Sequence, residues 1–77
     1  MGTKAYILIR TEVGKTTDIV AALRSVTGVS AVDLVSGPYD IIAVVEASDA
    51  NAVGRLVLNQ MHGLEGLSST LTCVVIG

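Results

Sequence analysis

The sequence predicts an α+β fold in which two helices cover one face of a four-stranded antiparallel sheet. Four short runs rich in β-branched and apolar residues predict the strands, and two stretches with apolar residues three and four positions apart predict the helices. These elements follow the order strand, helix, strand, strand, helix, strand. A glycine–proline turn joins the two middle strands, so a strand–helix–strand unit lies on each side of that turn.

The first unit begins with a strand over residues 5–11, in which apolar residues occupy alternate positions. Thr16 or Thr17 can cap the helix that follows, because a side-chain hydroxyl can accept a hydrogen bond from the first turn. The apolar stripe of this helix consists of Ile19, Ala22, Leu23 and Val26. Gly28 has the position of a left-handed helix cap, and residues 29–35 form the second strand.

The turn between the two units is the segment Ser36-Gly37-Pro38-Tyr39-Asp40. Gly37 tolerates positive φ and Pro38 fixes φ at about −65°, which predicts a tight hairpin turn. The turn presents an aromatic ring on Tyr39 and a carboxylate on Asp40 at the point where the chain leaves the sheet.

The second unit begins with a strand over residues 41–46, which is apolar on both faces and therefore has the character of a central strand. Ser48 or Asp49 can cap the second helix. The buried stripe of that helix consists of Val53, Leu56, Val57 and Met61. Gly63 closes the helix, and residues 67–76 form the last strand.

Right-handed connections place both helices on the same face of the sheet, which is the ferredoxin-like βαββαβ plait. The other face of the sheet then has no cover within one chain. We expect that face to pack against a second subunit, as a dimeric α+β sandwich or barrel. The apolar residues predicted to lie on it are Tyr6, Leu8, Val74 and Ile76.

The composition favours a subunit interface in a single domain over residues 1–77, since 51% of the residues are hydrophobic and a chain this short has little interior. No apolar run reaches the roughly 18 residues that a transmembrane helix needs. The net charge is −2 and the five Lys and Arg residues are scattered, which argues against direct nucleic-acid binding. A lone cysteine, Cys73, and the lack of a signal sequence predict a cytoplasmic protein.

No set of residues in the sequence predicts catalysis, a metal or a cofactor. Gly14-Lys15-Thr16 follows a strand and opens a helix, but the glycine that a phosphate-binding loop needs five positions earlier is Ile9. His62 is the only histidine, and neither it nor Cys73 has the partners that a metal site or a nucleophile requires. The sequence therefore predicts a protein that is not an enzyme.

Two groups of side chains are candidates for binding a small polar ligand. Asp40 can either accept a hydrogen bond within its own turn or pair with a ligand ammonium group, and Tyr39 can either pack on the hairpin or line a pocket. On the last strand, Thr70 and Thr72 are either ordinary strand residues or a row of hydroxyls for a ligand near a subunit boundary.

Several segments resemble the effector-binding domain of the Lrp/AsnC family, also called the RAM domain (regulation of amino acid metabolism). They are Tyr6-Ile7-Leu8-Ile9, Gly28-Val29, Val35-Ser36-Gly37-Pro38-Tyr39-Asp40-Ile41-Ile42, Glu65-Gly66-Leu67 and the pair Thr70 and Thr72. The resemblance covers nearly all of residues 4–76, and the Gly-x-Tyr-Asp turn before an apolar strand is its most specific part. It implies a stand-alone form of the domain, or an excised one, without the family's helix-turn-helix.

The resemblance implies a non-catalytic amino-acid-sensing module of transcription regulation. It further implies a homodimer that assembles into an octameric or decameric ring, with an amino-acid effector between subunits, and a DNA-binding Lrp/AsnC relative as a partner. The ligand-binding residues that it implies are Gly37, Tyr39, Asp40, Thr70 and Thr72. Two alternatives share the element order: a small dimeric α+β barrel enzyme of the monooxygenase type, and an ACT-type regulatory domain.

Overall fold

A computed structural model describes residues 2–76 and has the predicted α+β architecture. Every predicted strand and helix is present, with ends that differ by a few residues. No helix described within that range is long and apolar enough to cross a bilayer. The elements are β1 (Thr3–Thr11), α1 (Thr16–Arg24), β2 (Val29–Leu34), β3 (Ile41–Ala47), α2 (Ala50–Leu56), a π-helical segment (Val57–Met61) and β4 (Leu67–Val74).

The four strands form one antiparallel sheet in the order β2-β3-β1-β4. The central position predicted for β3 is therefore confirmed, and β1 is the other central strand. Ile7 lies at the middle of the sheet, opposite Ala43 on β3 and opposite Thr72 on β4. Both strand–helix–strand units consequently meet at β1 and β3, which is the ferredoxin-like arrangement.

The hydrophobic core lies between the helices and one face of the sheet. It contains no buried polar or charged residue among those described. Ala22 and Val26, which were predicted to belong to the buried stripe of α1, are only partly buried, whereas Val20 is buried in addition to Ile19 and Leu23. The buried residues are Ala5, Ile7, Ile9, Ile19, Val20, Leu23, Val32, Ile41, Ala43, Val45, Val53, Val57 and Met61.

The two helices begin in different ways. Asp49 caps α2 as predicted, because its side chain accepts a hydrogen bond of 2.8 Å from the backbone N–H of Ala52. The predicted threonine cap of α1 is wrong. The cap residue is Lys15, which provides no side-chain hydrogen bond, and Thr16 instead has its hydroxyl 2.6 Å from that of Thr11.

Two glycines start the strands that follow the helices rather than ending the helices themselves. Gly28 and Gly66 have φ of +99° and +92°, and each directly precedes a strand, β2 or β4. The prediction that Gly28 caps α1 is wrong, since α1 ends at Arg24. A Cβ atom on Gly66 would lie 2.5 Å from Cβ of Lys15, so close packing also requires glycine there.

The uncovered sheet face carries apolar side chains from three strands. Tyr6 lies opposite Val44 on β3 and opposite Cys73 on β4, and Leu8 continues the same row. We call Tyr6, Leu8, Ile42, Val44, Leu71 and Cys73 the open face. Leu71 is 48% exposed and Tyr6 is 38% exposed, whereas Leu8, Ile42 and Val44 are partly buried by their neighbours.

The prediction that Val74 and Ile76 share this face is wrong. Val74 is paired with Ala5, whose side chain points into the core, so Val74 lies on the helix side of the sheet. Ile76 lies beyond the end of β4. Either set of alternate residues on β4 could face the helices. The pairing register with β1 decides which set does, and the sequence does not specify that register.

Candidate functional site

Asp40 joins the hairpin to the end of β1 through its backbone. Its N–H donates a hydrogen bond of 2.9 Å to the carbonyl of Ile9, and its carbonyl accepts one of 3.0 Å from Val35. The residue therefore closes the hairpin connection, residues 35–40, and extends the pairing of β3 with β1. Both contacts hold Asp40 beside the loop that leads from β1 into α1.

The Asp40 side chain accepts hydrogen bonds from Thr11, the last residue of β1, rather than from its own turn. Oδ2 lies 2.9 Å from the backbone N of Thr11 and 3.4 Å from the Thr11 hydroxyl, which in turn lies 2.6 Å from that of Thr16. The expectation of a hydrogen bond within the turn is therefore wrong. Among residues 2–76, Oδ1 accepts no hydrogen bond and no cation pairs with the carboxylate. The partly buried carboxylate is thus anchored through one oxygen only.

Tyr39 is partly buried and packs against a residue that the sequence did not single out. The guanidinium carbon of Arg10 lies 5.2 Å from the centroid of the Tyr39 ring, which is the geometry of a cation–π contact. Arg10, Thr11 and Thr16 were all missed as site residues. Only the register between β1 and the hairpin identifies these residues, and that register cannot be predicted from the two segments of sequence taken separately.

Gly37 lies at the exposed tip of the hairpin. Its φ is not positive, so the predicted reason for glycine at this position is wrong. A Cβ atom added to Gly37 would meet no atom within 4 Å. Ser36 and Pro38 beside it are also exposed. The tip is therefore exposed to solvent and takes no part in the core.

Thr70 and Thr72 lie on the other side of β1 from the hairpin. Thr70 is paired with Ile9, and its hydroxyl lies 3.2 Å from Nε2 of His62. Thr72 is paired with Ile7 and is exposed. Since Asp40 is bonded to the opposite edge of β1, at least two interstrand spacings, about 10 Å, separate these threonines from it. The structure brings Tyr39 and Asp40 together but does not bring the threonines to them within one chain.

A shallow groove of about 260 Å³ lies on the helix layer, between α2 with its π-helical extension and the end of the α1–β2 loop. None of the five predicted ligand residues lines it. Its lining is formed by Thr27, Ala52, Arg55, Leu56, Asn59 and Gln60. Within residues 2–76, no three His, Cys, Asp or Glu side chains are grouped so that they could hold a metal ion.

Comparison with known sequences identifies relatives over almost the whole chain. The Lrp/AsnC ligand binding domain matches residues 4–77. An uncharacterized HTH-type transcriptional regulator of Pyrococcus horikoshii is 35% identical over 77 residues, which are 96% of this chain and 51% of the regulator. The chain thus spans about half the length of the regulators it matches.

Solved structures share the fold. TTHA0845 from Thermus thermophilus superimposes with a TM-score of 0.93 at 28% identity, covering 97% of this chain and 94% of that one. The transcriptional regulator NMB0573 of Neisseria meningitidis, solved as a complex with L-methionine, has a TM-score of 0.88 at 21% identity. That match covers 97% of this chain and 50% of the regulator.

One further relative is an enzyme of which the match covers only a small part. The homocitrate synthase of Sulfurisphaera tokodaii is 39% identical over 61 residues, which are 79% of this chain and 13% of the enzyme. The family match covers residues 4–77, and the regulator match covers 96% of this chain and 51% of the regulator. The chain therefore belongs to the family of Lrp/AsnC ligand-binding domains, which are regulatory domains of transcriptional regulators.

Proposed function

We propose that this domain is a non-catalytic amino-acid sensor that binds its effector at subunit interfaces and acts through oligomerisation. The observation that carries the proposal is the Asp40 carboxylate. It is partly buried at the exposed end of the sheet, Thr11 anchors one of its oxygens, and no cation among the described residues forms an ion pair with it. Such a carboxylate is prepared to pair with an ammonium group of a small ligand.

A free amino acid carries both an ammonium and a carboxylate group. Asp40 accepts hydrogen bonds from the ammonium, and Gly37 and Tyr39 form the adjacent wall. Thr70 and Thr72 lie at least about 10 Å away across β1. A site shared between subunits can place the strand hydroxyls of one chain beside the hairpin of another. With so few contacts, we expect a Kd between micromolar and millimolar, about −4 to −8 kcal/mol.

The open face provides the surface for pairing two chains. Its apolar side chains, among them Tyr6 and Leu71, remain substantially exposed in one chain. Burying them against a second copy removes apolar surface from water and stabilises a dimer. An effector bound between subunits then favours the assembled state, because it binds that state better than the separate chains. We propose rings of dimers as the assembled form and a DNA-binding Lrp/AsnC relative as the partner.

Native mass spectrometry of the purified protein, alone and with each of the twenty amino acids, tests this proposal. We expect one or a few amino acids to add their mass to the protein and to change the populations of its assemblies. A dimer of constant mass that responds to none of the twenty would contradict the proposal.

The substitution Asp40→Asn tests the role of the carboxylate. The asparagine side chain has one carbonyl oxygen, and the N–H of Thr11 requires it, so the NH₂ group would face the ligand ammonium. We expect a loss of amino-acid binding of roughly tenfold or more in calorimetry, with the fold retained. Asp49→Asn is the matched control, because asparagine caps helices as well as aspartate does and Asp49 lies outside the site.

A further inference from the structure

The strand β1 changes its pairing at the residue that contacts Tyr39. Arg10 is paired with Ser69 on β4, and the register shifts between Arg10 and Thr11. The extra residue lies on β4, because Arg10 pairs with Ser69 and Thr11 pairs with Leu67, which leaves Ser68 unpaired. Bulges interrupt the ladder locally and are common next to binding sites. Here the bulge lies opposite the residue that contacts the Tyr39 ring and the residue that donates to Asp40.

Arg10 is exposed but is held in place by the aromatic ring. Its guanidinium carbon lies 5.2 Å from the Tyr39 centroid. A guanidinium group that stacks on a ring keeps its N–H donors free at the edge of the plane, in a fork that matches the two oxygens of a carboxylate. Arg10 makes no ion pair with any carboxylate in the part of the chain that the structure describes.

Arg10 and Asp40 are neighbours of opposite charge that bind other groups rather than each other. The two peptide groups that flank Arg10 both bond to Asp40: the carbonyl of Ile9 accepts from its N–H, and the N–H of Thr11 donates to its Oδ2, each at 2.9 Å. The backbone thus fixes a cation and an anion beside each other. The Tyr39 ring holds the Arg10 guanidinium group, and the N–H of Thr11 holds the Asp40 carboxylate.

We propose that Arg10 binds the α-carboxylate of the effector while Asp40 binds its ammonium group. This proposal rests on the proposed function and adds a specificity: the site selects the zwitterion of an α-amino acid over an amine that lacks the carboxylate. Ser69, the cross-strand partner of Arg10, is the neighbouring hydroxyl for the same carboxylate. Thr70 and Thr72 then have a secondary role in holding the carboxylate.

The test compares two probes on two proteins by calorimetry at low salt. The probes are the amino acid that binds in the mass-spectrometric screen and the α-carboxamide of the same amino acid, which keeps the ammonium but loses the negative charge. The proteins are the wild type and Arg10→Gln. We expect the substitution to weaken binding of the amino acid by roughly ten- to hundredfold, as loss of a charge-assisted hydrogen bond does. Binding of the carboxamide should change by less than about threefold.

Arg24→Gln is the control, because it removes the same charge from the exposed end of α1. A thermal melt of each variant verifies the fold. If Arg10→Gln weakens both probes equally, or leaves the preference for the acid intact, Arg10 serves only to support the hairpin and the proposal is overturned. If the wild type binds none of the twenty amino acids, the proposed function itself fails, and the two failures are thereby distinguished.

Discussion

The backbone N–H of Thr11 donates a hydrogen bond of 2.9 Å to Oδ2 of Asp40, a residue 29 positions later in the chain. This contact joins the last residue of β1 to the hairpin and keeps the carboxylate at the end of the sheet. The hydroxyls of Thr11 and Thr16 extend the connection to the first turn of α1. Asp40 therefore has a structural role in addition to the ligand role proposed for it.

The structural role can be measured by the substitution Asp40→Ala. We expect it to lower the free energy of unfolding by about 1–3 kcal/mol, because the partly buried N–H of Thr11 loses a charged acceptor. Urea unfolding at fixed protein concentration provides the measurement. Asp33→Ala, which truncates an exposed aspartate of β2, should change stability by no more than about 0.5 kcal/mol. Equal effects of the two substitutions would show that the contact with Thr11 contributes little.

The left-handed glycine before β4 provides a second prediction. Gly66→Ala should lower the free energy of unfolding by about 2 kcal/mol or more, since φ is +92° and the new Cβ would overlap Lys15. Gly54→Ala is the matched control within α2, where a Cβ atom meets nothing within 4 Å and φ is not positive. That substitution should raise stability by about 0.5–1 kcal/mol. Changes of the same sign in thermal melts would contradict the conformational argument.

The sequence predicted the elements and their order because periodicity and turn residues are local properties. The alternation of Ala5, Ile7 and Ile9 identifies the buried face of β1 without any knowledge of its partners. Tyr39 and Asp40 could be chosen as ligand candidates for the same reason, because the turn is recognised locally and both residues belong to it.

The remainder of the site depends on pairing between distant segments. Arg10 reaches the Tyr39 ring only because β1 and β3 align as they do, and Val74 lies on the helix side of the sheet only because it is opposite Ala5. A shift by one residue would reverse both outcomes, and nothing local in the sequence prevents such a shift. The start of α1 was mispredicted because the Thr16 hydroxyl bonds to Thr11 instead of to its own helix.

Self-association through the open face provides a third prediction. Leu71→Lys should lower the average mass measured by sedimentation velocity, because association would bury its ammonium group against apolar side chains. Leu71 is 48% exposed on the open face, whereas Leu58 is 64% exposed on the π-helical segment. Leu58→Lys therefore adds the same charge elsewhere and should leave the mass unchanged. If the wild type associates and Leu71→Lys has the same mass, the interface lies on another surface.

Cys73 reports on the same face without any new charge. The thiol is exposed in a single chain and lies on the open face opposite Tyr6. If two chains pair through this face, association covers the sulfur. The rate of labelling by a small disulfide reagent should then fall as the protein concentration rises, because the monomer is the reactive species. In Leu71→Lys the rate should be fast at every concentration. Suppose that sedimentation shows the wild type to be associated but its labelling rate is equally fast at every concentration. The sheets then do not pair, and the chains meet through the hairpins or helices instead.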